Sequence, residues 1–287
     1  MDAIKNAALI LTLVAFSLVS SSGRTRPAEF DGAEDPSLFA QSAAEVLARD
    51  FSRSDISFLL MDARTGRLLA ARWDDADKPI PMGSLLKPFT ALAYGEQHDF
   101  RYPSHTCRGT PSGCWLPHGH GDVDLTAAIA GSCNSYFRML SLDLTAAEVA
   151  PVAGRYGLDR PAPEASGPEL AGLGTLWRTS PLRVAHAYLE LIRQRQQPGV
   201  SQVLDGMALS AKQGTAAAVH RAFPSSGALA KTGTSVCTHS RQAPGDGFTV
   251  VLAPADDPRI LLMVRVHGVP GSQAAKTAGQ MLRRIED

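Results

Sequence analysis

Three short motifs occur in a fixed order along this chain, and each demands a different kind of backbone. PMGSLLKPFT (81–90) sets Ser84 three residues ahead of Lys87 where a helical run begins. Ser132-Cys133-Asn134 falls at a break in a second helical run, and Lys231-Thr232-Gly233-Thr234 opens a strand-like run. Singly they mean little, since a serine followed three residues on by a lysine also describes a helix cap with a solvated lysine behind it. Together they ask for a fold that carries a helix start, a helix break and a strand edge to one place.

The surrounding patterns supply those elements. DPSLFAQSAAEVLARD has helical spacing, with Asp35 as cap and Pro36 at the first helical position. Two β-rich runs flank Ala63-Arg64-Thr65-Gly66 and predict a hairpin. LLKPFTALAYG reads as a helix from Ser84, with Pro88 tolerated because first-turn amides lack partners. DLTAAIAGSCNSYFRMLSLDL reads as helix broken near Gly131; irregular chain is expected at 99–122 and again up to Ser180, where SPLRVAHAYLELIRQ begins a well-patterned helix. GALAKTGTS, GFTVVLAP and RILLMVRVHG predict three strands, and SQAAKTAGQMLRRIED a closing helix. The order predicts an α+β fold: a five-stranded antiparallel sheet joining the hairpin to the late strands, covered by the N- and C-terminal helices, plus a helical subdomain.

The residue types fit nucleophilic catalysis. A serine hydroxyl attacks only when a base takes its proton. Ser84 and Lys87 share a helix face, and a lysine is a base only when burial and a nearby cation depress its pKa. Lys231 is the candidate cation, Ser132 a proton relay to the leaving amine, and Asn134 a holder of a substrate amide. Gly233 would let a ligand lie along the strand, Thr232 and Thr234 would bind a carboxylate, and the amides of Ser84 and Thr234 would form an oxyanion hole.

This trio in this order marks active-site serine penicilloyl enzymes. GSLLKPFTALAY, GHGDVDLTAAIAGSCNSYF, TSPLRVAHAYLELI, ALAKTGTS and MDARTGRLLA resemble segments of penicillin-binding protein transpeptidase domains, with the elongation-type class B enzymes the nearest match. The resemblance covers roughly residues 40–287. It implies a D,D-transpeptidase or D,D-carboxypeptidase that cleaves D-Ala-D-Ala stem peptides of peptidoglycan through an acyl-enzyme on Ser84 and binds β-lactams, with cell-wall synthesis proteins as partners. The short stretch ahead of the catalytic region predicts a chain without a pedestal domain or glycosyltransferase. The compact span from Ser84 to Lys231 leaves transpeptidation and simple hydrolysis both open. A serine β-lactamase is the enzyme alternative, though PEASGPELAGLG around Glu164 and Glu169 lacks the E-x-x-L-N pattern of class A deacylation. A sensor that acylates and stops is the non-enzyme alternative.

Equal counts of 28 basic and 28 acidic residues, with no basic tract, exclude a nucleic-acid partner. At the N-terminus an apolar run from Ala7 to Val19 follows one lysine. It is short for a membrane span and suits a signal peptide, with an uncleaved anchor as the alternative. The expected organisation is a signal or anchor at 1–22, a linker at 23–34, and a catalytic domain at 35–287 that is exported to the periplasm or the outer face of the cytoplasmic membrane. The membrane is met only through the N-terminal segment.

The chemistry requires no cofactor, yet Cys107, Cys114, His120 and Cys133 fall in one region. Three readings are open: a Cys107–Cys114 disulfide, a structural zinc held as a Cys3His set, or residues with no connection. If Ser132 and Asn134 face the cleft, Cys133 points into the body, where a metal would brace the turn from behind. Among the remaining residues, Asp122 and Asp124 are expected to cap a helix, His118 to cap or face solvent, His186 to be packed or partly exposed, and Arg283-Arg284 to be a solvated helix end. Cys237 is expected to be a buried strand residue without a role.

Overall fold

The late apolar runs lack a polar face because the sheet they build is covered on both sides; every residue of Asp246–Ala253 is buried. A computed structural model describes residues 38–222, 224, 227–237 and 244–286. The predicted signal or anchor (1–22), the linker (23–34) and the Asp35–Pro36 helix start lie outside the described residues.

Helix α1 (Leu38–Asp50) leads into strands β1 (Ile56–Asp62) and β2 (Leu68–Arg72), and β3 (Ile80–Pro81) precedes a 3-10 turn at Gly83–Leu86. Then come α2 (Lys87–Gln97), the small ribbon β4 (His105–Cys107) and β5 (Gly121–Val123), and α3 (Leu125–Ala130), α4 (Asn134–Leu142) and α5 (Ala146–Arg155). β6 (Arg178–Thr179) pairs with β3, and α6 (Pro181–Arg193), α7 (Val200–Gln213) and α8 (Ala217–Ala222) follow. The chain closes with β7 (Leu229–Ser235), β8 (Asp246–Ala253), β9 (Ile260–His267) and α9 (Gly271–Glu286).

The main sheet has the order β2-β1-β9-β8-β7, antiparallel throughout, with Leu60 opposite Leu262 and Lys231 opposite Val250. One core, with Leu47 from α1, Leu262 and Val264 from β9 and Met281 from α9, lies under the terminal helices. The other, with Met263, Phe248, Phe89, Phe137 and Tyr188, joins the opposite face to the helical subdomain. The α+β architecture expected from the element order is the one observed.

Several local expectations change. α5, α7 and α8 fall where irregular chain was expected or where no element was assigned. Pro151 inside α5 masks a helix that Thr145 and Glu148 start with a capping box, and Gly206 inside α7 admits Ile129 of α3, whose Cβ would lie 2.6 Å from an added methyl. The α-helix after Ser84 also starts later than predicted. Pro88 has no N–H to give the Ser84 carbonyl, so the Lys87 amide takes that carbonyl in a 3-10 bond and α2 begins only there. Asp124 caps α3 by accepting from the Ala127 amide at 2.8 Å, whereas Asp122 accepts from the Thr106 hydroxyl across the β4–β5 ribbon. His118 and His186 are both exposed.

Candidate active site

The three motif segments line one open cleft of ≈ 150 Å³, which contains Ser84, Ser132, Asn134, Thr232, Gly233 and Thr234. The nucleophile turn is set down against β7 by two glycines. Gly83 has φ +59°, and a Cβ there would lie 2.4 Å from the Thr234 carbonyl oxygen. A Cβ on Gly233 would lie 2.8 Å from the Met82 carbonyl oxygen. Sequence reasoning gave the bareness of Gly233 to a ligand; the structure gives it first to the protein's own turn. The Tyr188 hydroxyl donates to the Leu85 carbonyl at 2.9 Å and fixes the turn from below. Gly83→Ala is expected to destabilise the protein by about 2–4 kcal/mol, adding left-handed strain to a backbone clash. Urea unfolding checks this, and an unchanged midpoint would show that the turn can retreat from β7.

Ser132 sits in the gap between α3 and α4 with φ 49°, a left-handed conformation that costs a non-glycine residue about 1–3 kcal/mol. The conformation turns its carbonyl and hydroxyl towards the two lysines. Lys87 Nζ donates to the Ser132 carbonyl at 2.8 Å and to Asn134 Oδ1 at 2.7 Å, with Ser132 Oγ at 3.4 Å. Lys231 Nζ donates to Ser132 Oγ at 2.9 Å and to its neighbour's carbonyl, that of Thr232, at 2.8 Å.

Both lysines are fully buried, and neither forms an ion pair among the described residues. Burial lowers Lys87 to about 7, and burial together with the Lys87 charge lowers Lys231 well below the usual lysine range. The first cause for Lys87 is thus loss of water rather than the neighbouring cation that the sequence suggested. No hydrogen bond joins Lys87 to Ser84. A neutral amine with its two hydrogens on the Ser132 carbonyl and Asn134 Oδ1 still keeps a lone pair for a third partner.

The threonines are partly committed within the protein. Thr232 Oγ1 donates to Thr215 Oγ1 at 2.6 Å, and Thr234 Oγ1 accepts from the Gly271 amide at 2.9 Å. Thr215, Trp115, Leu173 and Pro270–Ser272 also line the cleft, and sequence reasoning missed them all. Thr215 follows α7, an element that was not foreseen. Trp115 lay in view within the Cys/His stretch, and its indole N–H donates to the Ser132 carbonyl at 3.2 Å. Glu169 lies outside the lining and accepts from the Leu176 amide at 2.8 Å, so its carboxylate holds a loop.

Behind Ser132 the Cys/His residues converge as a unit. The ligand atoms of Cys107, Cys114, His120 and Cys133 all lie within 4.8 Å of one another. His120 Nδ1 is 3.6 Å from Cys107 Sγ and 3.5 Å from Cys114 Sγ, and the Cys114 and Cys133 sulfurs are 4.0 Å apart. Tetrahedral zinc with ordinary Zn–S and Zn–N lengths requires about 3.8 Å between sulfurs and about 3.6 Å from sulfur to nitrogen. His120 Nε2 rests 3.1 Å from the Gly131 carbonyl, which orients the ring, and a Cβ on Gly131 would strike that ring. Cys107 and Cys114 are free thiols in this structure, and their sulfurs face the same centre as His120 and Cys133. Burial pushes the Cys133 thiol up, a bias that a metal would reverse.

Fold and motif set together match the pattern of penicillin-binding transpeptidase domains. The chain belongs to the penicillin-binding protein transpeptidase domain family, whose sequence model matches residues 56–286. Solved structures with a similar fold include PBP2 of Pseudomonas aeruginosa (TM-score 0.68, 19% identity, covering 87% of this chain and 73% of that one). The transpeptidase domain of Burkholderia pseudomallei penicillin-binding protein 3 gives 0.65 and 17%, with 89% and 95% covered. PBP2 of Helicobacter pylori in complex with MreC gives 0.68 and 16%, with 86% and 62% covered. At these identities the likeness is one of fold. No curated protein sequence matches the chain.

Proposed function

We propose that the protein cleaves D-Ala-D-Ala stem peptides as a D,D-transpeptidase or D,D-carboxypeptidase, and that β-lactams acylate it at Ser84. The observation that carries this reading is a pair of buried lysines, unpaired with any acid among the described residues, joined through Ser132 in the cleft that Ser84 also lines. Lys87, neutral, takes the Ser84 hydroxyl proton as Oγ bonds to the penultimate D-Ala carbonyl carbon. The C–N bond then breaks, and Ser132, backed by Lys231, returns a proton to the departing D-Ala amine. The amides of Ser84 and Thr234 are the proposed donors to the tetrahedral oxyanion, and Asn134 holds a substrate amide. The acyl group passes to an amine acceptor or to water. An exported location and partners among cell-wall synthesis proteins, such as the MreC bound by the Helicobacter PBP2, accompany this role.

A fluorescent penicillin tests the proposal. Stable label on the wild type and none on Ser84→Ala is the expected result. Rapid loss of label would mean β-lactamase turnover, and no label on either would remove the acyl-enzyme. The pH profile supplies a second check. Lys87 is protonated below about 7 and neutral above it, so the acylation rate should fall roughly tenfold per pH unit below that point and level off above it. A rate flat from pH 5 to 8 would exclude Lys87 as the base.

We also infer that Cys107, Cys114, His120 and Cys133 hold a structural zinc. When bound, the ion supplies a four-way crosslink and no reaction step. It ties the loop between β4 and β5 to the turn that carries Ser132 and Asn134.

A further inference from the structure

A second cluster of side chains of metal-ligand type lies at one end of the main sheet, apart from the Cys3His set. Strand register places Ser235, Asp246 and His267 in one row across β7, β8 and β9. Cys237 follows two residues after Ser235, where the chain has left β7. Sequence reasoning treated Cys237 as a buried strand residue; it is half-buried and just past the strand end. There its sulfur joins the carboxylate of Asp246 and the imidazole of His267, the three ligand atoms lying within 4.8 Å of one another. Asp55, in the turn before β1, closes the row from the other side, its carbonyl accepting from the His267 amide at 2.9 Å.

We propose that Cys237, Asp246 and His267 form a second zinc site. The donor set is one thiolate, one carboxylate and one imidazole, which suits a borderline-soft divalent ion, and its two negative charges neutralise that ion. Asp246 is 1% exposed, a deeply buried carboxylate whose present partners are His267 and the charge of Arg265. His267 Nδ1 and Asp246 Oδ1 are 2.7 Å apart, sharing a hydrogen. A metal bound by both takes the place of that proton and spreads the two atoms to about 3.4 Å. The Arg265 guanidinium, which donates to the Ser57 hydroxyl at 2.7 Å and stacks over the Trp73 ring at 4.6 Å, also lies near enough to Asp246 and Cys237 to interact with their charges, so it shares the neutralisation of the site. Three protein ligands leave the fourth position to water or to an incoming group.

The position gives the ion a consequence. β7 carries Lys231 to Thr234, and Val236 beside Cys237 lines a second pocket that shares Leu173 and Thr234 with the cleft. A metal here would stitch the end of β7 to β8 and β9, fixing the rim without touching the reacting atoms. Because its ligands must part to admit the ion while the Cys3His atoms already stand at tetrahedral spacing, this site should release zinc first.

Metal counting on the full chain decides the matter, and its outcome is separate from that of penicillin labelling. The protein is reduced, loaded with excess zinc, desalted and assayed by elemental analysis. Wild type should hold two zinc ions, and Cys237→Ser and His267→Ala one each, all three still labelled by penicillin at Ser84. Replacing zinc by cobalt should give a thiolate charge-transfer band that shrinks, without vanishing, in Cys237→Ser. Titration with a chelator should remove the ions in two stages in wild type and in one stage in Cys237→Ser. A wild-type content of one or none, or a content unchanged in Cys237→Ser, overturns the site. Cys237→Ser alters a half-buried side chain outside any strand, so it remains informative even if His267→Ala does not fold.

Discussion

Lys87→Met is expected to slow acylation of Ser84 by penicillin about 10³–10⁴-fold while shifting stability by no more than about 2 kcal/mol in either direction. Lys87 is fully buried, with Phe137 5.2 Å away across the ring face. Methionine is of similar length and needs no water, so the site loses an amine that is costly to bury and gains a side chain that packs. Against that gain, Asn134 Oδ1 loses its donor at about 1–3 kcal/mol, and the Ser132 carbonyl keeps only the bond from Trp115. The terms nearly offset, whereas the chemistry has no substitute base. Second-order acylation rates and thermal melts on the same preparation check both halves. A rate within tenfold of wild type would assign proton abstraction elsewhere, with Lys231 through Ser132 as the remaining route.

Dismantling the Cys3His cluster should cost both stability and rate. Cys107→Ser or His120→Ala is expected to abolish zinc binding there and to destabilise the domain by roughly 4 kcal/mol, or ~10 °C in Tm at this size. Acylation should fall about 10²-fold, because Cys133 is the residue between Ser132 and Asn134 and a displacement of ~1 Å in that turn spoils the proton relay. Ser132 holds a left-handed φ of 49°, a conformation that only a firmly held turn sustains. Zinc content, melting and acylation should therefore move together in these two variants. Normal rates in a zinc-free variant would show that the hydrogen bonds from Trp115 and Lys87 to the Ser132 carbonyl suffice to hold the turn.

The two clusters of ligand-type side chains show different degrees of legibility. Cys107, Cys114, His120 and Cys133 could be grouped from the sequence because three of them fall close together and the fourth sits inside a motif. Cys237, Asp246 and His267 could not, because their proximity follows from strand register, and Asp246 reads in sequence as an ordinary acid before a strand. Trp115 and Thr215 escaped for a similar reason: they reach the cleft from a loop and from the end of α7, and no periodicity reports where a loop side chain points.

What the sequence determined alone was the set of parts: a hairpin, three late strands and a closing helix, and three motifs that need a helix start, a helix break and a strand. Those follow from local rules of residue type and spacing, which a chain carries before it folds. Tertiary structure alone decided that Pro88 would shift Ser84 into a 3-10 turn, that Gly83 and Gly233 would serve the contact between that turn and β7, and that both lysines would be stripped of water. Burial among residues distant in the chain lowers the pKa of Lys87, and burial is a property of the assembled core that no local pattern encodes.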